Sequence, residues 1–167
     1  MINFKDYILD IPDFPIKGIV FKDITPLLMQ CFAESVDSMV ELYDADFWAN
    51  IDHIVGIESR GFIFASALAY RLNKGFLPIR KKGKLPRPAG EVSFILEYGS
   101  TVAEMHSGTG RVIIVDDIVA TGGTIVAGAK LATSVGFEVV GLCTFADLKL
   151  NKELIWNDLK LKSVVYF

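Results

Sequence analysis

Two adjacent carboxylates, Asp116 and Asp117, follow a β-branched apolar run, Val112-Ile113-Ile114-Val115, and after two more residues comes Ala120-Thr121-Gly122-Gly123-Thr124. Each part has its own chemistry. Two glycines let backbone N–H groups close around an anion, two threonine hydroxyls add donors, and a helix starting at this point turns its positive end toward the same spot. Phosphate is the anion that such a cradle suits. The neighbouring carboxylates would repel it, so they should serve something that donates hydrogen bonds, most simply ribose hydroxyls. Taken singly, Asp117 could start a turn and Thr-Gly-Gly-Thr could cap a helix. Between a buried strand and a helix, the combination points to a sugar phosphate.

Glu58-Ser59-Arg60-Gly61 repeats this build, with the strand-like His53 to Ile57 before it and an apolar helical pattern after it. Alone it would read as a serine cap beside a surface arginine. A third group lies between Arg80 and Arg87, where Arg80, Lys81, Lys82, Lys84 and Arg87 occur without an acid. In a chain of net charge −3, that concentration suits an anion site at least as well as a solvated loop. Arginine grips an anion with a planar fork, lysine as a point charge. Two such turns, one with carboxylates and one with arginine, suggest a ligand with two separated anionic groups.

Positioning these turns requires regular elements on either side of each. From about Asp52 the pattern predicts strands at His53–Ile57, Gly75–Ile79, Val92–Leu96, Arg111–Val115, Glu138–Phe145 and Val164–Phe167. Helices are expected at Gly61–Leu72 and from the glycine turn through Val135. Apolar strands alternating with helices imply an open parallel sheet covered on both faces, with ligands beyond the carboxyl ends of the strands. The first fifty residues differ. Pro12, Pro15, Gly18 and Pro26 punctuate them before a helix expected over Ala33 to Tyr43, and they read as a cap over the sheet edge. The expected organisation is one domain over 1–167, with a hood and N-terminal helices in 1–50 and a ligand-binding core in 51–167. Glu91 to Gly108 mixes strand-like residues with glycines and hydroxyls, as a mobile ribbon covering a water-sensitive reaction would.

Bulk properties narrow the class. Hydrophobic residues make up 51% of the 167, yet no apolar run approaches the ~20 residues of a membrane span. The start, MINFKDYILD, lacks the basic-then-apolar order of a signal peptide. Cys31 and Cys143 are expected to be reduced core thiols. A soluble, cytoplasmic protein is expected, with neither a membrane nor nucleic acid as partner. His53, in a core strand, and His106, at a loop end, are not read as catalytic.

Four apolar residues, two acids, two variable residues and ATGGT resemble the 5-phosphoribosyl-1-pyrophosphate (PRPP) signature of the type I phosphoribosyltransferases. IESRGFIFASALAY, RKKGKLP, LEYG followed by Glu104-Met-His106, and the lead-in PDFPIKGIVFKDITPLL are similar to the adenine-using members of that family, from about Asp13 to the C-terminus. The resemblance implies an α/β fold: an open parallel sheet of about five strands flanked by helices, with an N-terminal hood and a flexible loop, in a homodimer. It implies the reaction of adenine and PRPP to AMP and pyrophosphate, with Mg²⁺ bound mainly through PRPP rather than by protein side chains. Carried over by residue, Asp116 and Asp117 hold the ribose hydroxyls, and Ala120, Thr121, Gly122, Gly123 and Thr124 the 5-phosphate. Glu58, Ser59, Arg60, Arg80, Lys81 and Lys84 form the pyrophosphate site, some reaching it from the partner subunit. Val20, Phe21 and Lys22 read adenine. Glu97 handles a proton on the purine, with Arg60 and Lys84 joining it in catalysis and Tyr98 and His106 in the flexible loop. The resemblance leaves open whether the Glu58–Ser59 peptide is cis.

The chain departs from the family pattern in a shorter stretch between Tyr98 and Arg111, in Lys22 for arginine and in Arg87 for glycine. Two alternatives remain at this point: the same transfer to hypoxanthine, guanine or xanthine, and a non-catalytic PRPP-binding regulator. Oxopurines call for a donor such as a lysine after the sugar-binding acids, where Ile118, Val119 and Ala120 stand instead. A regulator would carry an added DNA-binding domain of about 50 residues or more.

Overall fold

The computed structural model describes residues 2–96, 99–149 and 153–167, in two compact units that divide after Ser38. In the first, a 3-10 turn at Phe4–Tyr7 leads to an antiparallel pair, β1 (Leu9–Pro12) and β2 (Val20–Asp23), with Asp10 opposite Lys22. The connection contains a cis Phe14–Pro15 peptide, and Gly18 N donates to Asp13 Oδ1 at 2.7 Å. Asp23 Oδ1 then accepts from Thr25 N and Thr25 Oγ1 (2.9 and 2.7 Å), which fixes the start of α1 (Thr25–Gln30). This hairpin and α1 were not foreseen as elements. α2 (Phe32–Val40) stops short of the expected Tyr43, because Leu42 N and Tyr43 N bond to the carbonyls three residues back. Asp44 then starts a short α3 (Ala45–Ala49), its side chain accepting from Phe47 N.

The second unit is built on one sheet, in the order β5-β6-β4-β3-β7-β8-β10-β9. Its strands are β3 (His53–Ile57), β4 (Gly75–Lys81), β5 (Gly90–Leu96), β6 (Gly99–Met105), β7 (Arg111–Val119), β8 (Glu138–Asp147), β9 (Ile155–Trp156) and β10 (Leu159–Tyr166). The five central strands β4, β3, β7, β8 and β10 are mutually parallel, as the alternation predicts. Three expectations are corrected. The strand expected at Val92–Leu96 belongs to an antiparallel ribbon, β5–β6, which pairs with β4 at Arg80↔Glu104 and Lys81↔Ala103. β7 continues past Val115 to Val119, because it keeps pairing with β8 after β3 has ended. The last strand starts at Leu159, five residues before Val164, in register with β8 from Leu161↔Leu142 onward.

Side chains alternate across the pleat, and the two faces receive different helices. α5 (Gly123–Ser134) packs on Val55, Ile57, Ile79, Val112, Ile114 and Leu142 through Ile125, Ala129 and Ala132. α4 (Gly61–Arg71) covers the other face, so close that a Cβ on Gly56 would lie 2.7 Å from Ala65 Cβ. On that side Phe64 and Phe145, both fully buried, stack with centroids 5.2 Å apart and planes 3° from parallel. Cys31 and Cys143 are free and buried, and burial pushes the Cys143 thiol up to about 12 against a smaller opposing pull from Lys162. Among the described residues no helix is long and apolar enough to cross a membrane.

The stacked pair anchors α4, and through it the turn that α4 begins. Phe145→Ala should therefore lower unfolding stability by about 3–5 kcal/mol, measured by urea denaturation. A loss below about 1 kcal/mol would show that the interface relaxes around the cavity.

Candidate active site

Strands β4, β3 and β7 are neighbours, so the three chemical constellations leave the same end of the sheet side by side. Pairing between β3 and β7 stops at Gly56↔Val115, whereas β7 continues against β8 from Asp116↔Thr144 to Val119↔Asp147. One side of β7 is thereby released at the acids. The start of α4 fills that place. A Cβ on Gly61 would lie 2.8 Å from Asp116 Oδ1 and 3.1 Å from Val115 O, so the approach requires glycine. Nothing in the sequence alone marks Gly61 for this task beyond its place directly after Arg60.

Asp116 and Asp117 are buried, at 9% and 4% exposure. Asp117 N donates to Asp116 Oδ1 at 3.0 Å. Arg60 Nε stands 2.7 Å from Asp117 Oδ2, but the approach lies outside hydrogen-bonding geometry, and this buried oxygen has no aligned donor. Burial, then the neighbouring Asp117 charge, push the Asp116 carboxyl well above the usual range. Burial also raises Asp117, with the Arg60 guanidinium opposing it. A buried acceptor with a counter-charge and no aligned donor suits a ligand hydroxyl.

From Val119 the chain turns through Ala120 and Thr121 to Gly122, which caps α5 with φ of +86°. A Cβ there would collide with Leu154, so both conformation and space demand glycine. Gly123 and Thr121 are exposed, and Thr124 is half-buried. The first N–H groups of this 12-residue helix lie outside its own ladder. The glycine turn and the helix start thus lie where the motif places them.

At the end of β3 the Glu58–Ser59 peptide is cis. The Glu58 side chain is 8% exposed. Its Oε1 accepts from Lys84 Nζ at 2.6 Å, and its Oε2 from Lys81 N at 2.7 Å and Arg80 Nε at 3.2 Å. Burial pushes this carboxyl up, but Lys84, the Lys81 N–H and Arg80 outweigh it and hold it at about 2. The Glu58 carboxylate is therefore the counter-ion that gathers the cations, and any contact of Glu58 with a ligand anion would come from its backbone. The basic run divides. Arg80 and Lys84 converge on Glu58, Lys82 Nζ turns to Glu91 Oε2 at 2.8 Å, and Arg87 is exposed at φ of +52°. Ser59 is exposed beside the half-buried Arg60.

Val20, Phe21 and Lys22 lie in β2 of the first unit. Lys22 Nζ pairs with Asp10 Oδ1 at 2.6 Å, Phe21 meets Phe14 edge-on at 5.2 Å, and Val20 is exposed. Glu97 and Tyr98 lie outside the described residues. His106 is exposed just after β6. His53 is half-buried in β3 with its ring edge-on to Phe137. Among the described residues no three His, Cys, Asp or Glu side chains converge as metal ligands.

Residues 29–162 match the family model described as a phosphoribosyl transferase domain. The chain is 48% identical over 162 residues to an adenine phosphoribosyltransferase of Hydrogenovibrio crunogenus, covering 96% of this chain and 94% of the relative. Among solved structures, the adenine phosphoribosyltransferase of Rhodothermus marinus superposes with a TM-score of 0.85 at 39% identity, over 98% and 96% of the two chains. That of Saccharomyces cerevisiae, complexed with adenine and an imino-altritol bisphosphate, gives 0.82 at 32% identity, over 96% of each. The chain belongs to the phosphoribosyltransferase family and, within it, to the adenine phosphoribosyltransferases.

The cation cluster has a pH signature. Because the folded Glu58 carboxyl lies below its ordinary value of 4.5, at about 2, its charge stabilises the fold above about pH 4.5, and that contribution is lost as pH falls toward 2. Glu58→Gln keeps an acceptor and removes the charge. Thermal melts across pH should show the gap between wild type and variant widest above pH 4.5 and closing below it. A gap constant with pH would assign the effect to shape.

Proposed function

We propose that the protein transfers the 5-phosphoribosyl group of PRPP to adenine, giving AMP and pyrophosphate in purine salvage. The observation that carries this reading is the buried Asp117 Oδ2, compensated by Arg60 yet without an aligned donor, between a glycine phosphate cradle on one side and gathered cations on the other. A pentose with a phosphate at each end has the matching pattern. The full-length similarity to adenine phosphoribosyltransferases supports the choice of base.

On this reading Asp116 and Asp117 accept the ribose hydroxyls, and residues 120–124 wrap the 5-phosphate. Ser59, Arg60, Arg80, Lys81 and Lys84 face the pyrophosphate. As the bond from the anomeric carbon to pyrophosphate breaks, positive charge develops on the sugar and negative charge on the leaving group. The fixed cations stabilise the latter, and the buried carboxylates suit the former. Mg²⁺ fits the oxygen-rich chemistry of this site, since it keeps waters and binds through substrate phosphates with one or two carboxylates rather than a protein cage. When bound it would neutralise charge on the departing pyrophosphate. Val20, Phe21 and Lys22 read adenine, and Glu97 handles its proton.

We also read the protein as a cytoplasmic homodimer that shares basic-loop residues across its interface. Exposed aromatic surface on the second unit, with Tyr70 at 90% and Phe76 beside Phe62, supports self-association.

Purified protein with PRPP, Mg²⁺ and each nucleobase in turn should form nucleotide and pyrophosphate with adenine; no turnover with adenine would sink the reading. In the same assay, replacing both acids (Asp116→Asn with Asp117→Asn) removes charge-assisted hydrogen bonds to the sugar. At about 1.5–3 kcal/mol each, kcat/KM for PRPP should fall roughly 10²–10⁴-fold with the circular dichroism spectrum unchanged. Near-normal turnover would refute the ribose assignment.

A further inference from the structure

One buried carboxylate stands outside all the roles above. Glu104, in β6, is only 3% exposed, a place where a carboxylate persists only if hydrogen-bonded or paired. Its Oε2 accepts from Gly83 N at 3.0 Å. Gly83 sits within the basic turn in the left-handed region, at φ of +83°.

The path of that turn is set by two carboxylates from different strands. Glu58, after β3, holds the N–H of Lys81, and Glu104, in β6, holds the N–H of Gly83 two residues on. Between them Lys82 N donates to Val102 O at 2.8 Å. Lys84 leaves the turn immediately after the second anchor and sends its ammonium back to Glu58. Glu104 also lies directly opposite Arg80 in the β4–β6 pair and opposite Glu91 in the β5–β6 pair, and Glu91 holds Lys82. The turn carrying Arg80 and Lys84 is thus bonded to the β5–β6 ribbon at successive points, with Glu104 the buried one.

We propose that Glu104 is a positioning residue that fixes the basic turn so that Arg80 and Lys84 face the pyrophosphate of the donor substrate, and that it couples this turn to the ribbon. The identity of the anion rests on the function proposed above; the contact itself does not.

Two substitutions separate reach from charge. Glu104→Asp keeps the charge but is one methylene too short for Gly83 N, whereas Glu104→Gln keeps an acceptor at full reach. Glu104→Asp should raise KM for PRPP by about 10-fold or more, the scale of one lost charge-assisted hydrogen bond, and leave KM for adenine within about twofold. Glu104→Gln should stay within about threefold of wild type for both. Amide hydrogen exchange by NMR, without substrate, should show Gly83 protected in wild type and Glu104→Gln and fast in Glu104→Asp. Equal effects of the two variants on PRPP, or a parallel rise in both KM values with a lowered Tm in Glu104→Asp, would overturn the assignment. So would an unprotected Gly83 amide in wild type, a measurement that stands if Glu104→Asp does not fold. Wild-type protein that makes no AMP would refute the proposed function and leave the exchange result to decide on Glu104.

Discussion

The close approach of α4 to the end of β7 is the constraint on which the site depends. The helix starts so close to a buried carboxylate that a Cβ at Gly61 would lie 2.8 Å from Asp116 Oδ1, a place open only to glycine. This placement brings Arg60 against Asp117. Burial pushes both adjacent carboxyls, at 9% and 4% exposure, toward protonation, and the Asp117 charge adds to that push at Asp116. The Arg60 guanidinium is the counter-charge that makes the arrangement tolerable. A strained electrostatic arrangement of this kind, retained at a strand end, is what a site needs in order to favour a ligand with hydroxyls over water.

A complementary arrangement occupies the end of β3. There a single buried carboxylate, Glu58, faces two cations and a peptide N–H and is stabilised as the anion. The two neighbouring strand ends therefore have opposite electrostatic character. One holds two buried acids with an orphaned acceptor, and the other holds cations around a single buried carboxylate. A ligand that presents hydroxyls to the first and phosphate oxygens to the second satisfies both, and neither end alone distinguishes such a ligand from a simple sugar or a simple anion.

The antiparallel ribbon adds a mechanical element to the electrostatic ones. Hydrogen bonds from the basic turn to Val102 and Glu104 tie the cations to β6, and β6 pairs with β5 along its length. A displacement of the ribbon cannot leave the turn untouched, since breaking the Gly83–Glu104 bond would strand a buried carboxylate.

The strand–turn–helix segment was legible in the sequence because strand, acids, glycine turn and helix are contiguous between Arg111 and Ser134, and each part is specified by local backbone physics: β-branched residues for the strand, glycine for φ of +86° at Gly122, an apolar period for α5. The five parallel strands were legible for the same reason. What contacts between distant residues decide was not legible. Asp116 and Asp117 break the apolar run, so the strand reads as ending at Val115, yet pairing with β8 carries it to Val119. The basic run reads as one patch of positive charge, yet Glu58 and Glu91, from opposite sides in sequence, divide it. Glycine 61 reads as an ordinary helix start, and Glu104 as one more polar residue of a strand. Local sequence set which residues could bind a phosphate and a diol. Tertiary packing alone set which charges meet, because charge pairing depends on strand order and register, and those are fixed by contacts between segments far apart along the chain.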